Sequence, residues 1–402
     1  MTAATPVVQA GAPRSRRIES LRAVAALGVV ISHVYGTSVA YGPATESTFL
    51  HRVLFGGGFG VLLFFALSGY LLFKPFALHR WGGGSAIDLG RYARNRALRI
   101  LPLYYVLIVI LLIAYRAPPS FWVRFGLFAQ SLFNDTVFRI DPPTWSLAVE
   151  LQYYILLPFI AGGIAVLSRG RLAVATLVLL ILGAISLALR LVTVYLPAGA
   201  SPAWRYAFPT NFVFFVPGML LPLIQLRLAG AAEPRWLRSW LGNATLWWLA
   251  ALAVFALVAY RYQLEALLVI ATFLVVGACV LPLRGGRELA VLDWRPLALL
   301  GVASYSLYLW HDPILAALAR LHLAPSGFVP LILVALPACI VVAVISYAAL
   351  EAPWLRLRSH WANTVPLPAR PALEEEGAAP DACGRTRGDL DRVQRKEPSH
   401  VD

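Results

Sequence analysis

Five acids and histidines interrupt the long apolar runs of this chain: His33, Glu150, Glu265, His311 and Asp312. Ionisable groups are expensive inside a bilayer, so each is a candidate for proton transfer or for a specific buried partner. His33 stands about three helical turns beyond Arg22 on the first apolar run. An arginine would thus mark one end of that helix while an imidazole sits past mid-bilayer. His311, on the run that opens near Leu297, reaches a similar depth. Two imidazoles at matching depth would suit a metal, but no carboxylate follows at ligand spacing, and no metal is expected. Glu265, beside Arg261 at the mouth of a run, reads as structural. Asp312 precedes Pro313 and reads as a group that satisfies backbone at a helix disruption.

A second set of residues is cationic. Arg91, Arg94, Arg96 and Arg99 follow one another at intervals of three, two and three residues, so several share one helical face. Guanidinium forks match phosphate bidentately, which makes this face a clamp for a phosphorylated ligand. On charge alone the same cluster reads first as a basic loop meeting anionic lipid. The glycine runs 56–58 and 82–84 lack the lysine of a phosphate loop and read as turns. No Gly-x-Ser-x-Gly elbow is present.

The elements that position these residues must be membrane helices. Hydrophobic residues make up 59% of the 402 and charged residues 13%, with a mean hydropathy of +0.71. Such a chain cannot cover its own surface with polar groups, which excludes an ordinary soluble enzyme. Ten apolar stretches, near 21–40, 55–73, 100–117, 147–167, 172–196, 208–226, 243–260, 264–283, 297–319 and 328–350, predict an all-α polytopic bundle of about ten transmembrane helices. Residues 121–133 are apolar but include Arg124 and Gln130, which predicts an interfacial or re-entrant piece. No period-two alternation supports a β-barrel. The net charge of +14 comes from bases in the gaps between runs, so it is a topology signal and not a nucleic-acid surface. Arginine-rich gaps alternate with sparse ones, which places both termini in the cytoplasm. Ser38-Val39-Ala40 resembles a cleavage site, yet the run before it is long enough for a retained anchor. The expected organisation is a cytoplasmic segment at 1–17, a membrane domain at 18–355 and a cytoplasmic tail at 356–402. The tail, rich in Pro, Ala, Gly and mixed charge, is expected to be disordered, with Trp354 to Arg358 along the inner surface. Cys279, Cys339 and Cys383 fit neither a disulfide framework nor a zinc site.

Five segments in order resemble the acyltransferase-3 family of integral membrane O-acyltransferases. They are Arg17 to Ala26 with Ile31-Ser32-His33; Gly60 to Leu71, including Ser68; and Arg96-Ala97-Leu98-Arg99-Ile100-Leu101-Pro102-Leu103-Tyr104. The fourth is Trp145-Ser146-Leu147-Ala148-Val149-Glu150 with Gln152-Tyr153-Tyr154 and Pro158. The fifth is Leu300-Gly301 with Ser304 to His311 and Pro313. Leu62 and Leu151 depart from the pattern, standing where the family often has acids.

The resemblance implies transfer of a short acyl group, acetyl above all, from acyl-CoA to a hydroxyl on a sugar, cell-envelope glycan, lipid or glycosylated natural product at the plasma membrane. Under it, His33 is the general base and Glu150 its partner or the acceptor's. Arg22, Arg96 and Arg99 hold the CoA phosphates. Trp145 lines the acceptor side, with Ser68, Tyr154, Tyr305 and His311 in support. Acyl-CoA is a substrate, and no bound cofactor is implied. Family members with a fused extracytoplasmic hydrolase-like domain are longer, so this chain is expected to act alone on its acceptor. A transporter or flippase is the alternative, but neither hydropathy nor motif placement shows the inverted repeats common in transporters. A purely structural scaffold leaves His33 and Glu150 without purpose.

Overall fold

In the computed structural model, residues 16–38, 48–195, 201–230 and 234–356 are described, and these are helical with no strand among them. Ten principal helices follow in order. They are α1 (Arg16–Ser38), α2 (Gly60–Trp81), α3 (Leu89–Ala114), α4 (Thr144–Ser168) and α5 (Leu172–Tyr195), then α6 (Val216–Ala229), α7 (Ala244–Tyr260), α8 (Leu268–Val280), α9 (Ser304–Arg320) and α10 (Phe328–Ser346). Each answers to one of the ten expected stretches, but they are not ten full-length spans. Seven helical segments are long and apolar enough to cross a membrane. An eighth requires Phe208–Phe214 and α6, bent by 43°, to act as one. Helices α7 and α9 have seventeen residues each, roughly 26 Å at 1.5 Å per residue and short of a core of about 30 Å. The stretch expected at 297–319 is broken at Ala303, between the helix Arg295–Val302 and α9. Hydropathy averaged over a window does not register such a break. The expected non-spanning piece at 121–133 is a short helix, Pro119–Gly126, followed by a turn at Gln130–Leu132.

Helix α1 is the axis of the structure. Its residues Leu21, Ala26, Val30 and Val34 are fully enclosed, and apolar side chains fill those positions. Backbone approach is close around it. A Cβ on Gly60 would overlap the Ala25 carbonyl, and one on Gly301 would overlap the Glu19 carbonyl. Glycine is therefore the residue that lets the entry to α2 and the helix before α9 pack on α1. On its other side, Ala26, Val30 and Val34 pack with Leu307 and Leu315 of α9 and with Ala335, Cys339 and Ala343 of α10. The outward residues of α5 and α10, such as Leu177, Ile181, Leu333 and Ile345, remain exposed, as side chains with lipid for solvent should be. Residues 1–15, 39–47 and 357–402 lie outside the described residues, and with them the cleavage-like triplet beyond Ser38, most of the N-terminal segment and the tail.

Candidate active site

Two parallel helices bring the histidines together. Helix α1 touches α9 near both ends of the site, through Arg22 Nε to Ser304 Oγ at 3.4 Å and through the His33 and His311 rings. Those rings meet edge to face, with centroids 4.8 Å apart. His33 Nδ1 lies 2.9 Å from the Val29 carbonyl, and His311 Nδ1 lies 2.5 Å from the Tyr308 carbonyl. A carbonyl only accepts, so Nδ1 carries the proton on both rings and Nε2 carries the lone pair. His311 is fully enclosed, and its Nε2 has no hydrogen-bond partner in the protein. His33 is half-buried and lines a cavity of about 610 Å³, together with Ser32, Trp145, Tyr206 and Tyr262. Trp145, at the start of α4, stands edge-on to Tyr206 at 4.5 Å. The next residue, Ser146, bonds Tyr308 at 2.7 Å and so ties α4 to α9 beside the histidines.

About one turn after Ser146 on α4, Glu150 is held by two hydroxyl groups. Ser68 Oγ and Tyr154 Oη both donate to its Oε1, the latter at 2.6 Å. No hydrogen bond joins Glu150 to His33 among the described residues. Arg96 of α3 lies over the Tyr154 ring, 5.9 Å from its centroid, and its Nε is buried without a partner. Arg96, Tyr92 and Tyr154 border a second cavity of about 640 Å³, floored by Leu101, Pro158 and Phe159.

Arg99 is not free. Its Nη1 bonds Glu351 Oε2 at 3.0 Å, and the guanidinium lies over the Tyr305 ring at 5.9 Å. Glu351, itself buried, also accepts from Ser306. A π-helical segment, Tyr347–Glu351, turns this acid inward at the end of α10, and such bulges often mark functional positions. Tyr305 donates to the Ile100 carbonyl at 2.8 Å, locking α9 on α3. Arg22 is 3.8 Å from Glu19 and lies over Phe64 at 5.9 Å. It also feels the charges of Arg99 and Glu150. Arg22, Arg96 and Arg99 thus gather around Tyr154, Tyr305 and Glu150, with the histidine pair further along α1 and α9.

Arg190, Arg205 and Asp141 belong to the site without having been singled out in the sequence. Glu265 is paired with Arg190 at 3.0 Å and Arg205 at 3.1 Å, and all three line the His33 cavity. The sequence reads Glu265 as structural beside Arg261; it is held in ion pairs, with partners 75 and 60 positions away. Arg190 carried a usable signal, an arginine inside a long apolar run, because a cation there is as costly as an acid. Asp141, three residues before α4, is fully buried, and neither of its carboxylate oxygens has a partner. Burial, reinforced by the nearby Asp312 carboxylate, pushes its carboxyl well above the ordinary carboxylate range. Among the described residues no three His, Cys, Asp or Glu side chains stand close enough to hold a metal ion.

Comparison with known proteins places this geometry in context. The acyltransferase-3 family model, described as an acyltransferase domain, matches residues 15–351. A putative peptidoglycan O-acetyltransferase of Bacillus subtilis, YrhL, is 29% identical over 65% of this chain and 44% of its own length. The peptidoglycan O-acetyltransferase OatA of Listeria monocytogenes is 23% identical over 74% of this chain and 49% of its own. The O-acetyltransferase OatA of Staphylococcus aureus is 23% identical over 84% and 56%. The chain spans about half the length of the curated relatives it matches. No solved structure matches it.

Proposed function

The chain belongs to the acyltransferase-3 family, and from that premise we propose that it transfers a short acyl group, acetyl above all, from acyl-CoA to a hydroxyl of a cell-envelope glycan. The observation that carries this reading is the placement of His33. Its Nε2 lone pair is available, its other nitrogen is fixed on Val29, and its ring faces an aromatic-lined cavity large enough for a sugar. The names of the relatives, peptidoglycan O-acetyltransferases among them, support acetyl as the group and a glycan as the acceptor.

In this reading the acceptor hydroxyl enters the His33 cavity and hands its proton to Nε2 as its oxygen attacks the thioester carbonyl. The tetrahedral intermediate collapses, the carbon–sulfur bond breaks, and the imidazolium returns the proton to the departing CoA thiolate. The products are an ester and CoA, and proton and charge balance with no redox step. Edge contact with His311 holds the His33 ring at its working angle. Arg96, which borders the second cavity, and Arg22 beyond it hold the CoA phosphates, with Arg99 anchored on Glu351 in support. Glu150 serves as a positioning residue, holding Tyr154 and Ser68 between the arginines and the histidines. The arginine-rich ends, and with them both termini, face the cytoplasm, where acyl-CoA is found, and the His33 cavity opens toward the other side.

The test is transfer of label. Membranes containing the protein are incubated with acyl-labelled acetyl-CoA, and label is sought in ester linkage on glycan, lipid and small-molecule fractions. Alkali-labile label in the glycan fraction, absent from membranes without the protein, is the result expected. Label in no fraction would overturn the reading.

A further inference from the structure

The cavity that holds His33 also contains a charged group for which the acyl-transfer step has no use. Arg190 lies well inside α5, its side chain only 5% exposed. Its Nη1 donates to Asn211 Oδ1 at 2.8 Å and to the Arg205 carbonyl at 3.2 Å, and its Nη2 to Glu265 Oε1 at 3.0 Å. Arg205 Nη2 donates to that same oxygen at 3.1 Å. Two guanidinium groups therefore share one carboxylate oxygen, which leaves a formal excess of one positive charge. The Nε of each arginine is buried and has no partner in the protein.

A purely structural bridge in such a place would be neutral and would fill its donors, because unpaired buried charge and unmet N–H groups both destabilise the fold. This one does neither, and it faces a cavity. The surplus charge, on two guanidinium groups that line the cavity, calls for an additional group with negative charge. We propose that Arg190 and Arg205, held in place by Glu265, form an anion-binding subsite that reads a carboxylate or phosphate group on the acceptor beside the hydroxyl presented to His33. Trp145, Tyr206 and Tyr262 on the same cavity supply flat apolar walls for a sugar ring. The class of ligand is thus an acidic sugar or a sugar phosphate, and Glu265 trims the field so that binding stays reversible. The ligand's role as acceptor rests on the acyl-transfer reading, whereas anion binding at this wall stands without it.

The experiment measures binding of three probes that share one ring, D-glucose, D-glucuronate and D-glucose 6-phosphate, to the purified full-length protein in detergent, with no acyl donor present. The wild-type protein should bind at least one of the two anions about tenfold more tightly than glucose, the scale of one charge-assisted hydrogen bond. That preference should weaken with added salt. Which anion binds better distinguishes a carboxylate ligand from a phosphate. Arg205, at 38% exposure, is the arginine that can be changed with least harm to folding. Arg205→Gln should reduce the preference to about threefold or less, Arg205→Lys should keep most of it, and Glu265→Gln should increase it. Equal affinity for all three probes in the wild type, or an Arg205→Gln protein that folds and keeps the full preference, would overturn the inference. Because no transfer is measured, a protein that binds anions but moves no acyl group would sink the proposed activity and leave this subsite standing.

Discussion

The His33 and His311 rings meet edge to face on two parallel helices, each with Nδ1 occupied by a carbonyl of its own helix. The two imidazoles are alike in tautomer and differ in access. His311 is sealed on all sides, whereas His33 opens onto the cavity that Trp145, Arg190 and Glu265 share. A group that takes a proton from a substrate must reach it, so the division of labour follows from burial. In the proposed reaction His33 takes the proton and His311 holds its ring.

The arginines divide in a similar way. Arg96 has an unfilled Nε beside a cavity, while Arg99 is engaged with Glu351. Arg96→Gln should therefore raise the apparent KM for acyl-CoA by about tenfold or more, the scale of a lost charged contact to phosphate, with the acceptor KM little changed. Arg99→Ala should instead lower the melting temperature, because it strands a buried carboxylate at a cost of about 3–5 kcal/mol. Arg99→Lys should recover only part of this, since a point charge replaces a fork. Steady-state kinetics on both substrates, together with thermal unfolding, separates the two effects. An Arg96→Gln enzyme with wild-type donor KM would return the cluster to a topology signal.

Asp141 makes stability depend on pH. Its folded-state carboxyl titrates well above the ordinary 3.8, so the folded protein holds a proton that the unfolded chain releases. The sign is then fixed: stability is greatest at and below the unfolded value and declines as pH rises from it toward the raised one. Asp141→Asn cannot ionise and should flatten that decline, giving a higher melting temperature than wild type on the alkaline side of the window. Thermal unfolding in detergent at a series of pH values is the check. Parallel curves for the two proteins would refute it.

The arginine gaps predict an orientation that labelling can test. With the three native cysteines replaced, Ser326→Cys in the exposed loop between α9 and α10 should react on intact cells with a membrane-impermeant thiol reagent. Ser85→Cys, exposed between α2 and α3, should react only after lysis. Equal reactivity of both sites on intact cells would contradict the assigned sides.

What the sequence disclosed about the site, and what it withheld, has a common physical basis. A buried charge is costly wherever it stands, so His33, Glu150 and His311 announce themselves as interruptions of apolar runs. Their partners do not. Glu265 has Arg261 four residues before it, yet it pairs with Arg190 and Arg205, and nothing local favours one arginine over another. The Arg99–Glu351 bond joins residues 252 positions apart and depends on a π-helical turn that no hydropathy pattern encodes. Glu150 could be recognised as buried, but its bonds to Ser68 and Tyr154 arise from how α2 and α4 pack. The order of the helices was readable because each run is apolar and bounded by charge. Their lengths were not, since the break at Ala303 leaves the composition of that stretch unchanged.

The account turns on His33 as the proton acceptor. His33→Gln keeps a polar side chain of similar reach and removes the basic nitrogen. The direct measurement is the rate of acyl transfer from labelled acetyl-CoA by this variant and by wild type, each purified, folded and at equal concentration. Removing a general base typically slows a reaction by about 10²- to 10⁴-fold, and a loss in that range, with donor binding unchanged, is the predicted result. A His33→Gln protein that transfers the acyl group at near wild-type rate would contradict it.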